Sequence, residues 1–167
     1  MQRGENTAMG QLSHIDENGK MKMVDVSAKK ETLRIAAAQG EILLSAEIID
    51  KVSAGGIEKG DVIAAARIAG INAAKKTWEL IPLCHQVKIT SVDVDFKILK
   101  NEDKIIVSAT VKGYDRTGVE MEALTAVSAS LLAIYDMCKA LSKDMVMTNI
   151  KLISKTGGSS DYKKGSD

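Results

Sequence analysis

Apolar positions recur with a period that changes from segment to segment, and those changes predict the elements. Within MVDVSAKKETLRIAAAQGEILLS, Leu33, Ile35 and Ala37 alternate with Arg34 and Ala36, a strand pattern with Arg34 on the opposite face. Ser45 is placed to cap a short helix through Ile48, Ile49 and Val52, which Gly55 and Gly56 would end. In IEKGDVIAAARIAGINAAKKTWELIP, Asp61 is placed as an N-cap, alanines fill the interior and Pro82 biases Ile81 away from helical geometry. A helix over about 61–80 follows, with Arg67, Lys75, Lys76 and Glu79 as its solvated face. Val92, Val94, Phe96 and Ile98 oppose Asp93, Asp95 and Lys97, and Ile105, Val107, Ala109 and Val111 form a second alternating run, joined to the first by KNED as a hairpin. A helix over about 120–142 and a strand from Asn149 to Lys155 complete the pattern.

The resulting order is strand, helix, helix, strand, strand, helix, strand. That interleaving around an antiparallel hairpin predicts an α+β, ferredoxin-like antiparallel sheet with helices packed on one face. Residues 1–22, polar and without periodicity, are expected to be a mobile arm, and His14 within it a solvated histidine. Residues 23–156 are expected to form a single domain that carries whatever chemistry the chain performs. Residues 157–167, rich in Gly and Ser, are expected to be a flexible tail.

Composition narrows the possibilities. A chain of 167 residues can bury roughly 70% of its unfolded surface. Hydrophobic residues make up 45% but aromatic residues only 3%, so the core is built from Ala, Val, Ile, Leu and Met, small enough for helices to approach closely. A net charge of +1 provides no global field for nucleic acid or an anionic membrane, and any anion site must be local. Two cysteines are too few for a disulfide scaffold, which favours a reducing cytosol. No apolar run is expected to be long enough to cross a bilayer, and the first residues lack the apolar core of a signal peptide.

The stretch GYDRTGVEMEALTAVSASLLAIYDMCKALSKD concentrates the candidate chemistry. Apart from Tyr135 and Cys138, the only ionisable side chains between Ala123 and Ala140 are Asp136 and Lys139, three apart and on one helical face. They read either as a salt bridge at a contact or as a lysine whose proton affinity a carboxylate tunes. The uncharged faces predict packing on both sides, against the sheet and against another helix, one from a second subunit being the natural source. Glu120 and Glu122, two apart, suit the positive end of a helix dipole; they share one site only if the segment there is extended rather than helical. Lys59, just before the Asp61 helix, reads either as an ordinary surface lysine or as part of an anion site with that helix's first N–H groups. Leu83, Cys84 and His85 fall in a helix-to-strand connection, where a histidine can carry a proton near neutral pH or serve structure alone. Adjacent Cys84 and His85 make poor metal ligands, and no metal or cofactor is expected.

Taken together, MVDVSAKKETLR, KGDVIAAARIAGINAAKKTWELIPLCH, GVEMEALTAVSASLLAIYDMCKALSKDM and SKTGGSSD resemble the MoaC family, over about residues 11–162. Gln86 departs from it, standing where a proline is expected after the histidine. The resemblance implies an enzyme of molybdenum cofactor biosynthesis, cyclic pyranopterin monophosphate synthase. Its substrate would be a small molecule, the cyclised dihydro-GTP intermediate, rearranged with release of pyrophosphate. It further implies a homohexamer, a trimer of dimers, with active sites at dimer interfaces. By the same resemblance, Asp136, Lys139 and Lys59 form the catalytic group. Leu83, Cys84, His85, Glu120, Met121, Glu122, Arg34 and Lys155 bind the substrate. A non-catalytic nucleotide-binding oligomer with the same pocket is the alternative.

Overall fold

The computed structural model describes residues 19–165; most of the arm assigned to residues 1–22, with His14, lies outside them. Strands β1 (Thr32–Leu43), β2 (Ile89–Leu99), β3 (Lys104–Asp115), β4 (Val146–Thr156) and β5 (Tyr162–Lys163) form one antiparallel sheet in the order β2-β3-β1-β4-β5. Helices α1 (Ala46–Ser53), α2 (Val62–Lys75) and α3 (Thr77–Leu80) lie between β1 and β2, and α4 (Glu120–Cys138) between β3 and β4. This is an α+β ferredoxin-like fold, with β1 central between β3 and β4.

Local chemistry sets the helix ends. Ser45 accepts the Ile48 N–H at 3.4 Å and Asp61 accepts the Ala64 N–H at 2.9 Å, so both expected caps form. The helix expected to run to about 80 instead breaks at Lys76. The Thr77 hydroxyl donates to the carbonyls of Ala73 and Ala74, at 3.2 and 3.1 Å, and one further turn follows as α3. Arg67 departs from a purely solvated role: its guanidinium lies 5.2 Å from the centre of the Phe96 ring and donates to the Val94 carbonyl.

Packing corrects four expectations. Along β1 the alternation holds, but the helices cover the Arg34 face: Arg34, Ala36, Ala38, Gly40 and Ile42 are buried while Leu33 is exposed. Small residues there let α4 lie directly on the strand, and a Cβ at Gly40 would stand 2.8 Å from Val127 and 2.9 Å from Leu131. The helix covering the other side of α4 is α2 of the same chain. Their contact is close at Gly70, and Ser130 donates to the Ala66 carbonyl at 3.0 Å across it. By length and composition alone, α4 is also apolar enough to cross a bilayer, contrary to expectation, although here it packs on the sheet and, beside it, on α2. Finally, the chain does not leave the fold at residue 157. Thr32 donates to the Gly157 carbonyl at 2.7 Å, and Tyr162 pairs with Lys155 on the sheet edge.

A Cβ at Gly70 would meet the Ser130 hydroxyl at 2.3 Å and the Ala126 carbonyl at 2.9 Å, and the second is backbone that cannot swing aside. Gly70→Val is therefore expected to destabilise the fold by about 1–3 kcal/mol, as overpacking does. Thermal unfolding should show a Tm lower by roughly 2–4 °C per kcal/mol.

Candidate active site

The two ends of α4 carry different chemistry. Its amino end follows a turn from β3 through Arg116, Thr117 and Gly118, and Val119 stands at the cap position with no side-chain cap. Two clefts open there. One, of about 470 Å³, is bordered by Lys29, Lys30, Arg34, Arg116, Lys155 and Glu120. The other, of about 420 Å³, is bordered by Leu83, Cys84, His85, Glu120, Met121 and Glu122. Glu120, Lys29, Thr117 and Gly118 belong to both, so the clefts adjoin along the start of the helix.

The first cleft is cationic. Among the described residues Glu120 is its only carboxylate, and it pairs with Lys155 at 3.3 Å. Arg34 is buried, and its Nε and Nη2 donate to the carbonyls of Asp115 and Arg116, each at 3.1 Å, so much of its guanidinium is engaged in holding the turn. The Nε of Arg116 is buried with no hydrogen-bond partner among the described residues, a donor lacking an acceptor. Lys29, Lys30 and Arg116 were not among the residues singled out from the sequence. The signal available for them was a basic doublet before β1 and an arginine in the turn leading to an uncapped helix.

The second cleft holds a carboxyl that resists ionisation. Glu122 is 4% exposed, and burial pushes it up to about 7; its own backbone N–H opposes this and Glu120 adds to it. Burial, and secondarily Glu122, likewise raises the Cys84 thiol, so Cys84 stays protonated and is a poor nucleophile. The helix begins at Glu120 itself, so the requirement that Glu120 and Glu122 sit on an extended segment to share one site does not hold. The second cleft lies at the end of the helix, where residues from different sides of the first turn can both reach it.

At the carboxyl end of α4, Asp136 accepts from Lys139 at 2.6 Å and from Lys59 at 3.1 Å. Lys59 also donates to the Asp136 backbone carbonyl at 2.8 Å. Two ammonium groups therefore meet the negative end of the helix dipole. Lys59 thus reaches across to α4 rather than forming an anion site with the first turn of α2. Hydrogen bonds from Lys139 and then Lys59 hold Asp136 below the usual carboxylate range, and Asp136 in turn raises Lys139. All three side chains are substantially exposed, so these pairs add little stability and the trio is not desolvated by its own chain.

The residues predicted from the sequence therefore fall into two groups. Leu83, Cys84, His85, Glu120, Met121, Glu122, Arg34 and Lys155 gather at the amino end of α4, and Lys59, Asp136 and Lys139 at the other end. From Glu122 to Asp136 the helix rises by roughly 21 Å at 1.5 Å per residue. Among the described residues, no group of three His, Cys, Asp or Glu side chains lies close enough to hold a metal ion.

The model of the MoaC family matches residues 23–158. The chain belongs to the MoaC family. A protein from Magnetococcus marinus named cyclic pyranopterin monophosphate synthase is 50% identical over 154 residues, 92% of this chain and 94% of the relative. One of the same name from Brevibacillus brevis is 48% identical over 156 residues, 93% of this chain and 97% of the relative. Both ends of α4 fall within the region matched by the MoaC model.

The raised Glu122 carboxyl makes stability depend on pH. Glutamate ionises near 4.5 in the unfolded chain and about 7 here, so the folded state holds the extra proton between those values. This group's contribution to stability is greatest below the unfolded value. It falls as pH rises through the window, by at most about 1.4 kcal/mol per pH unit, and is constant above it. Melting curves of the protein and of Glu122→Gln should diverge from pH 5 to pH 7, the variant becoming the more stable, and a pH-independent difference would contradict this.

Proposed function

We propose that this chain is a cyclic pyranopterin monophosphate synthase of molybdenum cofactor biosynthesis. It converts the cyclised dihydro-GTP intermediate to cyclic pyranopterin monophosphate with release of pyrophosphate. The observation that carries the reading beyond family membership is the adjacency of the two clefts at Glu120. A triphosphate needs a concentration of cations on a chain of net charge +1, and the first cleft supplies one. Arg116 borders that cleft together with Lys29, Lys30 and Lys155. A guanine-derived ring needs acceptors for its N–H groups, and Glu120 and Glu122 border the neighbouring space.

Ring opening and reclosure require proton transfers, and a donor must stand within hydrogen-bond reach of the atom it serves. Lys139, held protonated by Asp136, suits the acid role, and Lys59 shares the same carboxylate. In this reading, cyclic phosphate formation is an internal displacement by a sugar oxygen, so positioning and charge neutralisation dominate it. The helix holds the trio some 20 Å from the ring-binding carboxylates of its own chain, about the rise over fourteen residues. We therefore place the working site between two copies, the trio of one facing the clefts of the other, within a homohexamer built as a trimer of dimers in the cytoplasm.

The test supplies the cyclic dihydro-GTP intermediate and measures pyrophosphate and pyranopterin product. Turnover by the folded protein is expected; binding of GTP without turnover would instead favour a non-catalytic nucleotide-binding oligomer. Lys139→Ala should lower kcat by about 10²–10⁴-fold, the usual worth of a positioned acid or base. Its Tm should stay close to that of the parent, since the ion pair is exposed. Near-normal turnover would remove Lys139 from the chemistry.

A further inference from the structure

We propose that Asp115 is a positioning residue that locks the Leu83–His85 loop to the turn preceding α4, and so sets the width of the cleft between them. Asp115 is the last residue of β3, and its carboxylate bridges two backbones. One oxygen accepts the Arg116 N–H at 2.7 Å, and the other accepts the Lys88 N–H at 3.0 Å. Lys88 follows His85 by three residues, and Arg116 precedes Glu120 by four. A single side chain thus joins the segments bearing the opposing walls of the cleft.

Neighbouring contacts point the same way. The Tyr114 N–H donates to the Lys88 carbonyl at 3.1 Å, and a Cβ at Gly113 would lie 3.0 Å from that carbonyl, so loop and strand are already in close contact. From the other side, Arg34 grips the carbonyls of Asp115 and Arg116. The turn is held from β1 by a guanidinium, and the loop is held to the turn by a carboxylate. Burial opposes ionisation of Asp115, but the N–H groups of Lys88 and Arg116 outweigh it and keep the carboxyl below its ordinary range. An ionised acceptor with two N–H donors is a strong tether. Lys88 N–H and Arg116 N–H are both backbone groups, so the tether acts on main-chain position rather than on any side chain that meets a ligand. Loss of the tether would leave the loop held to β3 by the Tyr114–Lys88 hydrogen bond and the pairing of Ile89 with Gly113, but no longer fixed to the turn itself, and a displacement on the order of 1 Å can cost roughly 10²-fold in rate.

This inference rests on the proposed reading to the extent that the substrate ring occupies the cleft, and its test separates the two. The protein, Asp115→Asn and Asp115→Ala are compared by amide hydrogen exchange, by GTP binding and by turnover of the cyclic dihydro-GTP intermediate. Asparagine keeps the size and one carbonyl oxygen but turns an NH₂ group toward an N–H donor. Exchange at Lys88 should accelerate at least ~10-fold in both variants, with Tm within a few degrees of the parent, the signature of local rather than global opening. KM and the Kd for GTP should rise by ~10-fold or more, and by more than kcat falls, with alanine the more severe. Unchanged KM and Kd despite the freed Lys88 amide would overturn the proposal, as would unchanged exchange at Lys88. If the parent itself fails to turn over, the synthase reading falls, while exchange and GTP binding still decide the role of Asp115.

Discussion

The structure depends on how closely α4 can pack against both the sheet and α2, which itself rests on β2 beside it. Gly40 on β1 and Gly70 on α2 omit the side chains that would hold α4 away, and the buried alanines around them keep both surfaces flat. Dispersion and exclusion of water over those faces stabilise α4 as one uninterrupted rod. A rod has fixed ends, and that fixed separation divides the candidate site into two groups that cannot meet around one small molecule within one chain.

Electrostatics give the two ends complementary characters. At the amino end, unbonded N–H groups and the positive dipole end favour anions, and the surrounding cations reinforce this. Burial of Glu122 works against the dipole and prevails, leaving a carboxyl that is partly protonated near neutral pH. At the carboxyl end, the negative dipole end and Asp136 hold two ammonium groups in the open. In the proposed reading, one end binds and the other donates a proton or neutralises charge. A second copy bringing them together would also desolvate the trio, which its own chain leaves wet.

Much of this was legible in the sequence, and the remainder fails for identifiable reasons. Periodicity and capping residues located nearly every element, because Ser45 and Asp61 form the caps their chemistry suggests. Alternation did not reveal which face of β1 the helices cover, since a face of Arg34, alanines and glycine looks less like a core than Leu33, Ile35 and Ala37 do. The pairing of Lys59 with Asp136 links residues 77 positions apart and has no local signature. Lys29, Lys30 and Arg116 lacked a motif of their own and became visible only as the fold placed them around one cleft. The pattern of α4 predicted two covered sides, but a pattern does not say which element covers them, and α2 of the same chain was the answer.

The central claim, that one working site takes the lysine–aspartate trio from one copy and the clefts from another, is tested most directly by subunit complementation. Lys139→Ala and Glu122→Ala chains, each expected to lose turnover alone, are co-expressed with different tags, and the mixed assemblies are isolated and assayed for pyranopterin formation. A site shared between copies contains one interface with both residues intact, so mixed assemblies should regain turnover well above either parent. Mixed assemblies as inactive as the separate variants would show that both residues must come from the same chain, and would contradict the account.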